Sequence, residues 1–483
     1  MSGVVSARGD DLDDATNRPR PQSGKRLELE NDMKAGRYVY PIAVLLALAI
    51  GFGIWQPKQV KANSSHAPSW TVDPSWPKPL PAPVGSDGVA HRWVTGEVAG
   101  TCIDSNDHIF TVNRGWEVGV TVGGVLQGAE SGAIDGQDAT ASAIPSPPVV
   151  AYNSAGYVVA SFGDPTLVQT GVSYGAAAVL PQGMHGCYVD YQDNVWIGGN
   201  GDGIVQKYSQ SGKLLMQIGS KGSCDGPPTN STVGGANTYS TCGEASDFNS
   251  SHTLLNEPAD ISVDPELDPV TGKRGDVYIA DGYGNHRVVV FDSTGTFVRQ
   301  FGTKCSTTGA SCPDGTFGAT GGGHPHCVVL GNDNLVYACD RPDSRIEVFE
   351  KDGSFVRSIP IDPSPDATPG NQAAILKAGT RACDIDFWPN IDFLADRSPT
   401  SQRLIINVDL GNDNVWVLDK ASGGMIGALG RCGLSPCPGH SAGQFAFAHT
   451  GASTSNGDVY IAETITGRRI QRFVLNGNNG NNW

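Results

Sequence analysis

The sequence has little positive charge for its length of 483 residues. Lysine and arginine together number 33, against 49 aspartates and glutamates, which gives a formal net charge of −16 at pH 7. A nucleic-acid-binding protein needs a basic face that displaces counterions from phosphates. The charge balance therefore excludes nucleic acid as the main partner.

Two other features are missing. Long runs of the helix formers Ala, Leu, Glu and Lys do not occur after the first 60 positions, and the chain has no Cys-x-x-Cys or Cys-x-x-Cys-His motif. These absences argue against a helical domain, a thioredoxin-type redox site and a c-type haem. The chain instead carries 63 glycines and 31 prolines. That composition predicts many short strands joined by tight turns.

One segment is strongly apolar. Residues 38–55 contain the run YPIAVLLALAIGFGIW, and a polar tail with basic residues precedes it at residues 1–37. This charge order is typical of an export signal or of an N-terminal membrane anchor. The long lead-in favours an anchor, whereas the VKA stretch at residues 60–62 resembles a signal-peptidase site. In both cases a linker over residues 56–75 would lead to an extracytoplasmic domain.

The 11 cysteines suit an oxidising compartment. Six of them form close pairs within loops rich in Gly, Ser, Pro and Thr, where short disulfides would brace insertions that lack a core: Cys224 with Cys242, Cys305 with Cys312, and Cys432 with Cys437. The other five lie in or beside apolar runs, and we expect buried small side chains or further disulfides there: Cys102, Cys187, Cys327, Cys339 and Cys383.

The clearest organisation is an internal repeat. The stretch GDVYIADGYGNHRVVVFDSTGTFVRQFG from Gly275 matches DNLVYACDRPDSRIEVFEKDGSFVRSI from Asp333 and DNVWIGGNGDGIVQKYSQSGKLLMQIG from Asp193. Each copy reads as an apolar strand, a polar turn, an alternating strand, a glycine turn and another strand. Weaker copies begin at Gly100, Arg403 and Gly457. Such repeats, each too small to bury its own faces, are typical of a β-propeller.

Six copies predict an all-β, six-bladed propeller over residues 76–476, followed by a short tail at residues 477–483. Stacking the blades around an axis covers the faces that a single sheet leaves exposed. The ring also needs a strand that joins its first and last blades. The sequence offers a strand near residues 90–98 or the segment after Ile470 for this closure.

Three histidines occupy nearly equivalent positions in different copies of the repeat. His185, His326 and His449 lie nine, eight and seven residues before the Asn of the first turn in the second, fourth and sixth copies. The first strand of each blade lines the central channel, so all three side chains should enter it at the same end. Alternate blades of a six-bladed ring point at the axis from directions about 120° apart. We therefore expect a three-imidazole site, an arrangement that suits zinc with one open position.

Around these histidines, and over most of residues 95–475, the chain resembles the NHL-repeat propellers of the peptidyl-α-hydroxyglycine α-amidating lyase family. The resemblance implies that His185, His326 and His449 hold zinc. The family's tyrosine in SDGY.N.R, implicated as the catalytic base, corresponds to Tyr283 of ADGYGNHR. Two functional arginines of the family correspond to Arg114 of TVNRG and Arg341 of CDRPDSRI.

The implied reaction breaks the C–N bond of a carbinolamide to give an amide and glyoxylate, on a peptide or small molecule that ends in a hydroxyglycine-like group. Zinc would stabilise the developing alkoxide while Tyr283 takes the hydroxyl proton. The family also binds a structural calcium through two backbone carbonyls, which correspond to those of Thr101 and Cys187. Its third calcium ligand is an aspartate, and this chain departs from the pattern with Thr450.

Two other functions fit parts of the sequence. A non-catalytic extracytoplasmic propeller could present its loops to a protein or a glycan, in agreement with the acidic, loop-rich exterior. A hydrolase of the gluconolactonase type would use a divalent cation held by carboxylate and Asn ligands, for which Asp260 and Asp384 reach the channel. Three histidines fit that second class poorly.

Overall fold

A computed structural model describes the compact part of the chain, within Ser64–Trp483. The described residues are 67–84, 88–90, 92–115, 120–122, 125–127, 143–163, 180–181, 183–201, 203–221, 223–225, 249–269, 271–306, 312–318, 323–361, 384–388, 402–431 and 438–476. The predicted polar tail, the predicted anchor or signal segment and the predicted C-terminal tail lie outside them. None of the described residues forms a helix of the length and apolarity that a membrane crossing requires.

All regular elements of the described residues are strands. The first fourteen are β1 (Trp70–Val72), β2 (Arg92–Val94), β3 (Val98–Ile103), β4 (Ile109–Asn113), β5 (Val120–Val122), β6 (Val125–Gln127), β7 (Ala143–Pro145), β8 (Val149–Tyr152), β9 (Val158–Phe162), β10 (Met184–Val189), β11 (Val195–Gly199), β12 (Ile204–Tyr208), β13 (Leu214–Gly219) and β14 (Asp260–Val263). The others are β15 (Val277–Asp281), β16 (Arg287–Phe291), β17 (Phe297–Phe301), β18 (Val328–Leu330), β19 (Leu335–Asp340), β20 (Arg345–Glu350), β21 (Phe355–Pro360), β22 (Asp384–Trp388), β23 (Leu404–Asp409), β24 (Asn414–Asp419), β25 (Met425–Leu429), β26 (Ala448–Ser453), β27 (Val459–Glu463) and β28 (Arg469–Leu475).

These strands build the predicted six-bladed propeller. Blades 1 to 5 are the antiparallel sheets β3-β4-β8-β9, β10-β11-β12-β13, β14-β15-β16-β17, β18-β19-β20-β21 and β22-β23-β24-β25, and blade 6 is β26-β27-β28-β1. Two further two-stranded sheets, β2-β7 and β5-β6, stand beside them. The innermost strand of each blade has a neighbour on one side only within its sheet, so its other edge faces the channel. Strand β26 contacts β3, which closes the ring of innermost strands.

The core lies between neighbouring blades. In blade 2, Trp196 is 1% exposed and packs against Ile261 and Ile279 of blade 3. The middle strands are apolar on both faces because each face of a blade meets another blade. Outer strands such as β17 and β21 are only partly buried. Blade stacking therefore covers the surfaces that the single repeat leaves exposed.

Ring closure uses the segment after Ile470, one of the two predicted solutions, together with a partner strand that the sequence does not predict. Strand β1 pairs antiparallel with β28, and its residues Trp70 and Val72 pack into the core of the last blade. The indole nitrogen of Trp70 also donates a hydrogen bond to the carbonyl of Gly457 at 2.9 Å. The strand near residues 90–98 instead contributes β2, which pairs with β7 outside the blades. Part of the segment predicted as a linker is thus the outer strand of blade 6.

A buried ion pair recurs at the same place in three blades. Each pair joins the last residue of the second strand to the first residue of the third strand, which lie directly opposite each other. The three pairs are Arg287 with Asp281, Arg345 with Asp340, and Arg469 with Glu463. This cross-strand pair explains why the repeat has an acidic residue before its polar turn and an arginine after it.

We expect replacement of Arg287 by alanine to lower the free energy of unfolding by about 3–5 kcal/mol, because it leaves a buried carboxylate without its cation. Arg287 and Asp281 are both 0% exposed. Chemical denaturation of the full chain measures the change. Arg274→Ala is the control, since Arg274 is exposed and its guanidinium donates a hydrogen bond to the carbonyl of Pro265. A change below about 1 kcal/mol for Arg287→Ala would contradict a structural role for the pair.

Three disulfides form among the described residues. The predicted Cys305–Cys312 pair is confirmed. Cys102–Cys187 joins the innermost strands of blades 1 and 2, and Cys327–Cys339 lies within blade 4. Cys224 is also disulfide-bonded. The other predicted positions, Cys242, Cys383, Cys432 and Cys437, lie outside the described residues. Disulfides of this kind favour an extracytoplasmic compartment.

Candidate metal centre

Three buried histidines meet at one end of the channel. His185 lies in β10, His449 lies in β26, and His326 precedes β18, so they belong to blades 2, 6 and 4. Their ring centroids are 4.6 to 5.2 Å apart. One nitrogen from each ring lies within 4.8 Å of the other two. The structure thus brings together the three side chains that the repeat phase predicts, and these could hold a metal ion.

The neighbouring blades fix the orientation of two imidazoles. Nδ1 of His185 is 2.8 Å from the carbonyl oxygen of Ala259, and Nδ1 of His449 is 2.7 Å from that of Ala99. Because a carbonyl oxygen only accepts hydrogen bonds, Nδ1 must carry the proton in both rings. The lone pair then lies on Nε2, the nitrogen that faces the centre. Such second bonds are typical of histidines that bind metals.

The environment keeps His185 and His449 neutral. Burial lowers the pKa of His185 well below its ordinary value, and the charges of His449 and Arg114 lower it further. Burial also lowers the pKa of His449 to about 3, with added contributions from Arg114 and Arg341. A neutral imidazole is the form that coordinates a metal, so neither His185 nor His449 needs a deprotonation step at neutral pH.

Tyr283 lies at the rim of this centre. It follows β15 in blade 3, between the blades that carry His185 and His326. Its hydroxyl is 3.2 Å from Nε2 of His185 and 3.0 Å from Nε2 of His326. A guanidinium nitrogen of Arg341 donates to the same hydroxyl at 3.2 Å. The phenol oxygen is therefore placed to exchange a proton with a molecule bound at the histidines.

Arg114 belongs to blade 1, and its side chain lies next to the residue that precedes His185. Its Nε donates to the carbonyl of Met184, the residue before His185, at 2.6 Å. One of its terminal nitrogens lies 3.5 Å from a carboxylate oxygen of Glu97, which is 0% exposed. The hydroxyl of Thr464 donates to the same oxygen at 3.1 Å. Sequence reasoning missed Glu97, although an acidic residue directly before a fully buried strand is a usable signal.

Gly323 gives the site its close packing. Its φ of +93° favours glycine, and a Cβ atom there would lie 2.9 Å from Cδ2 of His326 and 3.0 Å from the guanidinium carbon of Arg341. We expect Gly323→Ala to displace both side chains and to weaken metal binding by about 10–100-fold. Competition with a chelator measures the affinity. Gly88→Ala is the control, since Gly88 has φ of +78° with nothing near its Cβ position. Equal affinities in the two variants would contradict the expectation.

The residues expected to bind calcium lie at a different level of the channel. Thr101, Cys187 and Thr450 line a cavity of about 80 Å³ together with Asp260 and Asp384. Burial raises the pKa of Asp260 to about 7. Burial and the charge of Asp260 raise the pKa of Asp384 well above its ordinary value. The metal-ligand cluster of the described residues contains histidines alone, so these carboxylates do not join it.

Comparison with known proteins identifies the repeat type. A model of the NHL repeat family matches residues 270–291, which include Tyr283. Peptidyl-glycine alpha-amidating monooxygenase of Mus musculus is 34% identical over 105 residues, which cover 21% of this chain and 9% of that protein. The Rattus norvegicus protein is 36% identical over 104 residues, with the same shares. This chain therefore matches less than a tenth of the length of these curated relatives.

Among solved structures, the chain matches virginiamycin B lyase from Staphylococcus aureus. It is 11% identical, with a TM-score of 0.39, and the alignment covers 85% of this chain and 90% of the other. The chain is a six-bladed β-propeller whose residues 270–291 match the NHL repeat model, and it is similar, over about a fifth of its length, to peptidylglycine alpha-amidating monooxygenases.

Proposed function

We propose that the protein is a zinc-dependent lyase that cleaves the C–N bond of a carbinolamide, R–CO–NH–CH(OH)–COO⁻, to an amide and glyoxylate. One observation carries the proposal: three imidazoles and a tyrosine hydroxyl converge at one end of the channel. The resemblance to the amidating lyases and the partial similarity to amidating monooxygenases support it.

The histidines suit zinc as the resident metal. Zinc favours imidazole nitrogen, and its catalytic sites have three protein ligands and one open position. The Nδ1–H bonds to Ala259 and Ala99 leave Nε2 of His185 and His449 for a metal, and Nε2 of His326 lies beside them. When bound, zinc would stabilise the negative charge that develops on the carbinol oxygen.

Tyr283 is the proposed acid and base. As a phenolate it takes the proton of the carbinol hydroxyl, and the electrons of that O–H bond form the carbonyl of glyoxylate. The C–N electron pair passes to nitrogen, which receives the proton back from Tyr283 and becomes the primary amide. All atoms of the substrate are then accounted for without water or an oxidant. The hydrogen bond from Arg341 stabilises the anionic oxygen of Tyr283 during this cycle.

Arg114 is the proposed anchor for the substrate carboxylate. The Met184 carbonyl and the Glu97 carboxylate hold its side chain beside His185. Guanidinium groups bind carboxylates through paired hydrogen bonds, which would orient the carbinol carbon toward the histidines. The expected substrate therefore carries an acylated amino group and a free carboxylate, as in a peptide or an acylglycine with a hydroxylated terminal glycine.

The test is metal analysis followed by an assay on α-hydroxyhippurate. We expect about one zinc per chain, with benzamide and glyoxylate released in equal amounts. Chelation should abolish the release, and added zinc should restore it. A protein that binds no zinc and releases no glyoxylate would favour the non-catalytic propeller that presents its loops to a protein or a glycan.

The location also belongs to this proposal. An extracytoplasmic propeller would act on secreted or periplasmic substrates while residues 38–55 tether it to the membrane. The disulfides of the described residues support the compartment. Fractionation of cells that express the full chain tests the tether: we expect the protein in the membrane fraction, with release by alkaline carbonate as the opposing result.

A further inference from the structure

A disulfide follows His185 closely along the channel. Cys187, two residues after His185 in β10, is bonded to Cys102 of β3, so the disulfide joins the innermost strands of blades 1 and 2. A Cβ atom at Gly100 of β3 would lie 2.5 Å from the carbonyl oxygen of His185, which shows how closely the two strands approach. The pairing of β10 with β11 shifts register between Met184 and Cys187. Such a bulge redirects a side chain but interrupts the ladder, so the backbone of His185 needs another restraint.

The same disulfide also acts on the carbonyl that orients His449. Ala99, three residues before Cys102 in β3, accepts the hydrogen bond from Nδ1 of His449 at 2.7 Å. Ala99 lies in a second register shift, at the start of the pairing of β3 with β4. Cys102–Cys187 thus joins β3 to β10 just beyond both irregular segments. It sets the distance between the strand that carries His185 and the strand that orients His449.

A second disulfide fixes His326 within blade 4. Cys327 directly follows His326 and is bonded to Cys339 of β19. The backbone N–H of His326 donates to the carbonyl of Cys339 at 2.7 Å, and the N–H of Cys339 donates to the carbonyl of Cys327 at 3.1 Å. Strand β18 begins only at Val328 and is three residues long, so the ladder beside His326 is short. The covalent bond keeps the end of this ladder closed.

We propose that the cysteines of these two disulfides are positioning residues of the metal centre. Cys102–Cys187 and Cys327–Cys339 together act on all three histidines, which come from three different blades, and hold them at the separations that one ion requires. The inference rests on the proposed zinc centre and concerns its affinity for the metal. A disulfide that only stabilised the fold would raise the melting temperature and leave the zinc affinity of the folded protein unchanged.

The experiment compares zinc binding by disulfide variants of the full chain. Cys327→Ala/Cys339→Ala removes the bond beside His326. Cys305→Ala/Cys312→Ala is the matched control, since that disulfide is also buried and its cysteines are 7 residues apart, against 12 for the first. Competition with a chelator measures the affinity. We expect the first variant to bind zinc about 10–100-fold more weakly and the control to bind it as the wild type does.

Cobalt(II) in place of zinc shows whether the arrangement of the ligands changes. The visible absorption of cobalt(II) depends on its coordination geometry. We expect Cys102→Ala/Cys187→Ala to shift these bands and to weaken metal binding, whereas Cys305→Ala/Cys312→Ala should keep the wild-type spectrum. Melting curves recorded without metal report the stability of the fold separately.

Wild-type protein supplies a measurement that does not depend on the folding of a variant. Partial reduction by a phosphine, followed by alkylation and mass spectrometry, shows which disulfides have opened. Cys102 and Cys187 are 6% and 9% exposed, so we expect their disulfide to open before the fully buried pair of blade 4. Zinc should be lost as Cys102–Cys187 opens and should be retained while only Cys305–Cys312 is open.

Equal zinc affinity in the control and in both folded variants would overturn the proposal. Wild-type protein that keeps its zinc after reduction of both disulfides beside the histidines would overturn it as well. A wild type that binds no zinc would overturn the metal centre and this proposal with it. Zinc binding without release of glyoxylate would count against the lyase reaction alone, so the two failures are distinguishable.

Discussion

Replacement of His326 by alanine should reduce the zinc content of the purified protein from about one ion per chain to nearly none. His326 supplies one of three nitrogens that lie within 4.8 Å of one another. Changes to residues that only support metal ligands weaken binding by about 10–100-fold, and loss of one of three ligands should weaken it by more. Elemental analysis after dialysis measures the zinc content. Release of glyoxylate from α-hydroxyhippurate should disappear with the metal.

The control for this variant is His440→Ala. His440 is exposed and contacts Arg469 through its backbone carbonyl, which the substitution retains. We expect His440→Ala to keep the wild-type zinc content and activity. Circular dichroism and the melting curve show whether His326→Ala still folds. A folded His326→Ala protein that retains a full zinc ion would refute the three-histidine centre.

The second large effect concerns Tyr283. Tyr283→Phe removes the hydroxyl that lies 3.0 Å from Nε2 of His326 and 3.2 Å from Nε2 of His185. Since general acid–base catalysis contributes about 10²–10⁴-fold, we expect kcat to fall by that factor. KM should change much less, because the phenyl ring and the carboxylate anchor remain. Steady-state release of glyoxylate measures both constants.

Zinc content separates a catalytic from a structural role of Tyr283. We expect Tyr283→Phe to bind zinc as the wild type does, since the histidine nitrogens are unchanged. Tyr157→Phe is the matched control, because Tyr157 is 59% exposed. A Tyr283→Phe protein with more than half of the wild-type kcat would show that another group moves the proton. A loss of zinc would show that the tyrosine positions the metal ligands instead.

The sequence predicts the blade count because the repeat carries both local structure and a packing contact. Alternating apolar residues specify the strands, and the acidic residue and arginine that flank the polar turn become a cross-strand ion pair, as in Asp281 with Arg287. Strand β1 has no such signal. It is three residues long, its partner β28 lies at the far end of the chain, and it belongs to no repeat copy. The sequence therefore predicts that the segment after Ile470 takes part in ring closure, but not that β1 is its partner.

The convergence of the histidines follows from repeat phase alone, since equivalent positions of the innermost strands lie at equivalent heights in the channel. The groups that orient the histidines cannot be predicted from the repeat. Ala259 and Ala99 act through backbone carbonyls, which carry no residue-specific signal. The Cys102–Cys187 disulfide likewise depends on how blades 1 and 2 meet. Contacts between blades are set by the assembled ring, and a single repeat does not encode them.

The hydrogen bond from His449 to Ala99 joins residues 350 positions apart and crosses the junction of blades 6 and 1. The centre therefore does not exist in a partly made chain, since its last ligand arrives only after five blades have been synthesised. Ring assembly must therefore precede any binding of a metal ion by all three histidines. For a protein exported in an unfolded state, zinc would then have to be acquired from the compartment where folding finishes, and bound metal would serve as a marker of a completed ring.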